Sequence, residues 1–106
     1  MAGAGAYAAG KGALKSLVKT LALEFASRKI RVNVVSPGPI ATPIFGKMGM
    51  SEEEMDKVSA GILAQVPLGR FGEAAEIARC VAFLASSESS CVTGTELVVD
   101  GAMSQQ

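Results

Sequence analysis

An α/β fold is what these 106 residues predict, and three observations carry the prediction. Apolar residues recur at spacings of three and four over Leu14, Leu17, Val18, Leu21, Ala22 and Phe25, which is one face of a helix. Two short β-branched runs, 30–36 and 96–100, are each stopped by proline or glycine, as strands are. Two further helical patterns lie between them. Strand, helices, strand is a crossover, so the strands are expected to be parallel and the connection right-handed. The expected order is α-β-α-α-β in one domain, 1–106.

The first helix is expected from near Tyr7 to Ser27, with Arg28 and Lys29 suiting its negative C-terminal end. Gly10 and Gly12 each cost about 1 kcal/mol relative to Ala inside a helix. They suggest frayed first turns or the close approach of another backbone. Ile30-Arg-Val-Asn-Val-Val-Ser36 reads as a strand, stopped by Pro37-Gly38-Pro39, and the loop 37–43 should be stiff. Ser51-Glu-Glu-Glu54 fits a capping box, with Ser51 as N-cap. The helix it opens carries Met55, Val58, Ile62 and Leu63 and stops before Pro67. A turn at 68–72 follows, where Arg70 is a candidate anchor with no evident partner. A third helix begins near Glu73, with Ile77, Ala78, Val81, Leu84 and Ala85 on one face, and 86–90 breaks it. Glu96-Leu-Val-Val-Asp100 is the second strand. Two strands and three helices are too few to cover both faces and edges of a parallel sheet. Exposed apolar surface is therefore expected, and with it self-association.

Composition narrows the function. Hydrophobic residues are 49% and charged residues 19%, which is globular. Ten basic against ten acidic side chains give a formal charge of zero, so nucleic acid is not an expected partner. Histidine is absent, which excludes a Ser–His–Asp triad, a Cys–His pair and a histidine metal site. No metal is expected at Cys80 and Cys91, and Cys80 reads as a small core hydrophobe. Neither a membrane span nor an export signal is evident, so the expected location is cytoplasmic, with reduced thiols. Gly3-Ala-Gly5-Ala-Tyr7-Ala8 formally matches a dinucleotide fingerprint, but with Met1 and Ala2 before it no preceding strand is expected, and Glu24 sits inside the helical pattern.

Three stretches in sequence carry a resemblance. They are Tyr7-Ala-Ala-Gly-Lys11 at the head of a long helix, Asn33-Val-Val-Ser-Pro-Gly-Pro-Ile-Ala-Thr42, and Pro67-Leu-Gly-Arg-Phe-Gly72 through Ala75-Glu-Ile-Ala78 and Phe83-Leu-Ala-Ser86 to Thr93-Gly94 and Val98-Val-Asp-Gly101. Together they resemble the short-chain dehydrogenase/reductase family in its classical branch, over nearly the whole chain. The resemblance is to the C-terminal portion of a family member and implies the C-terminal part of a doubly wound, Rossmann-type parallel sheet. The family's Gly-rich pyrophosphate turn, catalytic serine and relay asparagine belong to an N-terminal portion. On this resemblance they are expected to be absent from these residues, and NAD or NADP binding to be weakened accordingly.

The chemistry implied is hydride transfer between a nicotinamide and a carbonyl or alcohol. Tyr7 and Lys11 are four apart and share a helix face. A free tyrosine titrates near pH 10, and a nearby ammonium favours its phenolate. Such a pair suits a general acid for a carbonyl oxygen. By resemblance Tyr7 and Lys11 are the catalytic pair, and Lys11 also binds the nicotinamide ribose. Pro37, Gly38, Ile40 and Thr42 form the cofactor loop, with the Ile40 backbone and the Thr42 hydroxyl bonding the carboxamide. The segment 45–66, with Met48, Met50 and Met55, is where the family covers its substrate; it equally suits a helix packed on a partner. Lys15 and Lys19 read as a solvated face, and Glu52–Glu54 as complementing a helix N-terminus. Two readings follow: an NAD(P)-dependent oxidoreductase of this lineage, or a non-catalytic assembly module derived from it. The second would use Leu14–Phe25 and Leu97–Val99 to form a homodimer or tetramer, or to join a full-length relative.

Overall fold

The computed structural model describes residues 4–41, 49 and 51–105. Its elements are α1 (Ala4–Phe25) with a 3-10 turn at Ala26–Arg28, β1 (Val34–Pro37), α2 (Glu52–Leu63), α3 (Ala74–Ala85) with a 3-10 turn at Ser87–Ser89, β2 (Glu96–Val99), and a last 3-10 turn at Met103–Gln105. The predicted order α-β-α-α-β is the observed one, and β1 pairs with β2 in a two-stranded parallel sheet. No helix among the described residues is long and apolar enough to cross a membrane.

The chain divides into two compact units. The first comprises Met1–Val34 and Phe83–Leu97, the second Val35–Ala82 and Val98–Gln106.

In the first unit, α1 starts at Ala4, earlier than the sequence suggests, and runs through Gly10 and Gly12. Nothing lies within 4 Å of a Cβ built at either glycine, so no described backbone comes close there. The helix ends in a Schellman arrangement. Ile30 N–H donates to Phe25 O and Lys29 N–H to Ala26 O, with Lys29 left-handed at φ 59°. Arg28 sits 5.6 Å from the Phe25 ring centroid, a cation–π contact on the last turn. Val18 and Ala22 are buried, and Ala22 faces Gly94, where a Cβ would come to 3.3 Å.

Strand β1 is shorter than predicted because residues 30–33 are held by side chains and single backbone bonds. Gly94 is left-handed at φ 75°, so its segment cannot extend into a ladder there. Instead Val32 N–H donates to Thr93 Oγ1 and Gly94 N–H to Val32 O. Asn33 spans the turn, donating to Val92 O (2.9 Å) and accepting from Thr95 N–H (3.0 Å). Arg31 donates to Ser89 Oγ (3.0 Å), Val92 O (3.1 Å) and Ser86 O (2.9 Å). Ser89, 1% exposed, turns its own hydroxyl toward Phe83 O and Leu84 O. One guanidinium thus ties 86–92 to the approach to β1. Arg31→Ala leaves three acceptors short of a charged donor, and is expected to cost about 2 kcal/mol in urea unfolding.

In the second unit, the Ser51 hydroxyl caps α2 by accepting from Glu54 N–H at 3.1 Å, as the capping pattern predicts. The last ladder bond runs from Gly38 N–H to Val99 O (2.9 Å), just past Pro37, which has no N–H to offer. Val66 is buried against Gly101, which is left-handed at φ 62°; a Cβ on that glycine would meet Val66 Cγ1 at 2.7 Å.

Among the described residues the buried hydrophobic side chains are Val18, Ala22 and Val66 alone. Leu17 and Leu23 on α1 are 52% and 81% exposed, and Val81 and Phe83 on α3 are also exposed. Leu14 and Leu17, expected on the inner face of α1, therefore lie open. The exposed apolar surface expected from the small element count is present. Cys80 is half-buried and Cys91 exposed; both are free thiols.

Candidate functional site

The residues singled out by sequence fall in both units. Tyr7 and Lys11 lie one turn apart in α1, on the same helix face. Lys11 is half-buried; the Tyr7 side chain lies outside the described residues. Pro37, Gly38 and Ile40 belong to the second unit. Thr42 lies outside the described residues, as do Met48 and Met50.

The segment Pro37–Ala41 leaves the C-terminal end of β1, the end of a parallel strand where α/β folds bind ligands. It is held on two sides. At Gly38 the backbone lies against Asp100: a Cβ there would fall 2.5 Å from Asp100 Cβ and 2.8 Å from Asp100 Cα. Only glycine permits that approach. Asp100 is itself fixed, because its carboxylate accepts from Ala102 N–H (2.9 Å) and Ser104 N–H (3.0 Å). Hydrogen bonding from Ser104, more than any other influence, holds this carboxyl below the ordinary aspartate range. Leu68 N–H bonds Gly101 O (3.1 Å), joining the Asp100 turn to the segment that follows α2.

On the other side, Gly72 forms a parallel bridge with Ile40. Gly72 N–H donates to Pro39 O and Ala41 N–H to Gly72 O, both at 2.9 Å. A parallel bridge uses the peptide groups before and after its central residue. Successive peptide groups of an extended chain point to alternate sides. The N–H and C=O of Ile40 itself therefore point away from Gly72, and neither bonds a described residue. Pro37 and Pro39 have no N–H, and Gly38 and Ala41 have used theirs. Among the described residues the Ile40 N–H and C=O are the loop's one adjacent donor–acceptor pair without a partner. An adjacent N–H and C=O complement a carboxamide, so these residues fit the nicotinamide end of NAD(P).

A polar cluster that sequence reasoning saw only in part supports Gly72. Arg70 meets Glu76 through two parallel bonds, Nη1 to Oε1 (2.7 Å) and Nη2 to Oε2 (2.8 Å). Glu76 Oε1 also accepts from Glu73 N–H (3.0 Å), and Arg70 Nη1 donates to Phe71 O (3.1 Å). Glu73-x-x-Glu76 is the acidic half of a capping box at the start of α3, the signal that could have named Arg70's partner. A cavity of about 370 Å³ is lined by Pro39, Arg70, Gly72, Glu76 and Asp100 among others.

The pair of bonds from Arg70, then the Glu73 N–H, pull the Glu76 carboxyl down to about 2. A carboxyl whose folded value lies below its unfolded value, here 4.5, stabilises the fold above that unfolded value and loses the contribution as pH falls. Between pH 5 and 2 the chain should lose more stability than the Glu76→Gln variant, in denaturation midpoints read at steps of pH. Parallel losses would show that the Glu76 contacts contribute nothing over this range. The pair is solvent-exposed, so the difference should shrink in high salt.

Comparison with known proteins follows the same lines. The sequence model of the enoyl-(acyl carrier protein) reductase family matches residues 1–104. The 3-oxoacyl-(acyl-carrier-protein) reductase of Salmonella typhimurium is 53% identical over 102 residues, which cover 96% of this chain and 39% of that reductase. The glucose 1-dehydrogenase of Gluconobacter oxydans is 44% identical over 97 residues, covering 92% of this chain and 35% of that enzyme. The solved structure of a C-terminal deletion mutant of Thermoplasma acidophilum aldohexose dehydrogenase superposes with a TM-score of 0.80 at 37% identity, over 97% of this chain and 46% of that one. The chain therefore spans between 35% and 46% of the length of these relatives. The family-model match over residues 1–104, with relatives alike in sequence and in backbone, places this chain in the short-chain dehydrogenase/reductase family of oxidoreductases.

Proposed function

We propose that these residues form the nicotinamide and substrate side of an NAD(P)-dependent oxidoreductase that interconverts a carbonyl and an alcohol. The observation that carries this is the Pro37–Ala41 loop, whose Ile40 N–H and C=O, without a partner among the described residues, complement a carboxamide. The bound nicotinamide would supply or accept the hydride. The chain's own residues hold and move the proton. The Tyr7 hydroxyl donates to the carbonyl oxygen in reduction and takes the proton back in oxidation. The Lys11 ammonium, one turn away, favours the phenolate and binds the ribose hydroxyls. Ile40 and Thr42 orient the carboxamide, and the two prolines keep that loop from rearranging. The relatives named as 3-oxoacyl-(acyl-carrier-protein) reductases favour a 3-oxoacyl thioester as substrate.

The test is a fluorescence titration with NADH and NADPH, followed by turnover of a 3-oxoacyl thioester. Saturable binding at micromolar to low millimolar concentrations supports the reading. No binding up to several millimolar overturns it. Exposed Leu14, Leu17 and Leu23 on α1 favour a homodimer or tetramer, or a partnership with a full-length relative. Sedimentation equilibrium tests this: a monomer at all concentrations argues against self-association.

A further inference from the structure

The open pair on Ile40 is useful only if it points one way, and the loop does not set that direction by itself. The bridge to Gly72 does, by engaging Pro39 O and Ala41 N–H and so turning the Ile40 groups to the opposite side. Gly72 in turn lies in the segment 70–73, which one carboxylate holds at both ends. Glu76 grips the Arg70 guanidinium at one end of the turn and the Glu73 N–H at the other, while Arg70 reaches back to Phe71 O. Gly72 sits between these anchors. The fit is close, since a Cβ on Gly72 would meet Ile40 Cδ1 at 3.0 Å.

We propose that Arg70 and Glu76 are positioning residues for the cofactor site, acting through Gly72 to aim the Ile40 N–H and C=O at the nicotinamide carboxamide. This rests on the NAD(P)-binding reading above. Neither side chain touches the cofactor; their effect is on the direction of a peptide group. Breaking the ion pair frees the 70–73 turn and lets the Ile40 peptide groups rotate. The second hold on the loop, Gly38 against Asp100, uses none of these residues and stays in place.

That separation makes the test. Amide hydrogen exchange and NADH and NADPH titrations are run on the wild-type protein, Glu76→Ala and Gly72→Ala. Glu76→Ala is expected to speed exchange at Ala41 and Gly72 by about tenfold and to leave Gly38 unchanged, because local opening exposes only the bonds it breaks. The dissociation constant for the reduced cofactor should rise by about tenfold, with turnover at saturating cofactor within about twofold, as expected for lost binding and not lost chemistry. Gly72→Ala, which disturbs the bridge without touching the ion pair, should reproduce the affinity loss. Arg70→Lys keeps the charge but not the two parallel bonds, and should restore only part of the affinity. Faster exchange at Ala41 with unchanged affinity overturns the proposal, as does exchange rising equally at Gly38. A wild-type protein that binds neither cofactor overturns the functional reading itself, an outcome distinct from unchanged affinity in the variants.

Discussion

Tyr7→Phe is expected to lower turnover of a carbonyl substrate by roughly 10²–10⁴-fold while NADH affinity stays within about twofold, the range for removal of one positioned general acid. The change deletes a single oxygen and keeps the ring, so helix α1 and the packing of Val18 and Ala22 below it should be untouched. The functional reading assigns the proton to this hydroxyl, and no histidine exists to replace it. Lys11→Ala should differ in kind, raising the cofactor KM as well as lowering kcat, because Lys11 is assigned both the ribose and the phenolate. Stopped-flow hydride transfer separates the two. Full activity in Tyr7→Phe would remove the general acid from the proposed mechanism.

The second large effect is on stability. Gly38→Ala is expected to destabilise the chain by about 2–3 kcal/mol, at the upper end of the overpacking range. The added methyl would fall 2.5 Å from Asp100 Cβ and 2.8 Å from Asp100 Cα. A flexible side chain could swing away; a backbone carbon cannot. Asp100 is tied through Ala102 and Ser104, and Gly38 is tied through Val99 O, so neither side yields cheaply. Gly10→Ala is the control. A Cβ there meets nothing within 4 Å, and the substitution should stabilise α1 by up to about 1 kcal/mol. Urea unfolding of the two variants beside wild type decides it. Equal midpoints would mean that the Asp100 turn moves aside freely and does not hold the loop.

The element order could be read directly because each element carries its own periodic signal. The face of α1 repeats every three to four residues, and Ser51 precedes Glu54 at the spacing a capped helix needs. Family membership was equally legible, since the Tyr7–Lys11 spacing, the prolines after β1 and the Val98–Gly101 end lie in fixed order along one chain. The start of β1 was not. Ile30–Asn33 is β-branched enough to pass for strand, but a ladder needs an extended partner, and Gly94 turns left-handed opposite Val32. Nor did the inner face of α1 follow from periodicity. Periodicity states which side chains share a face, not whether anything covers it, and Leu17 lies open while Val18 beside it is buried.

The site divides in the same way. Sequence by itself determined which residues stand where: a tyrosine and lysine one helical turn apart, and a loop stiffened by Pro37 and Pro39 at the end of a strand. These are local facts, set by residue type and short spacing. Only tertiary structure decided that Gly38 must be glycine, because Asp100, sixty-two positions on, occupies the space. Only tertiary structure turned the Ile40 N–H and C=O away from Gly72 by bridging the two residues. Those outcomes depend on which distant backbone arrives, and at what angle. A spacing along one chain carries no record of that.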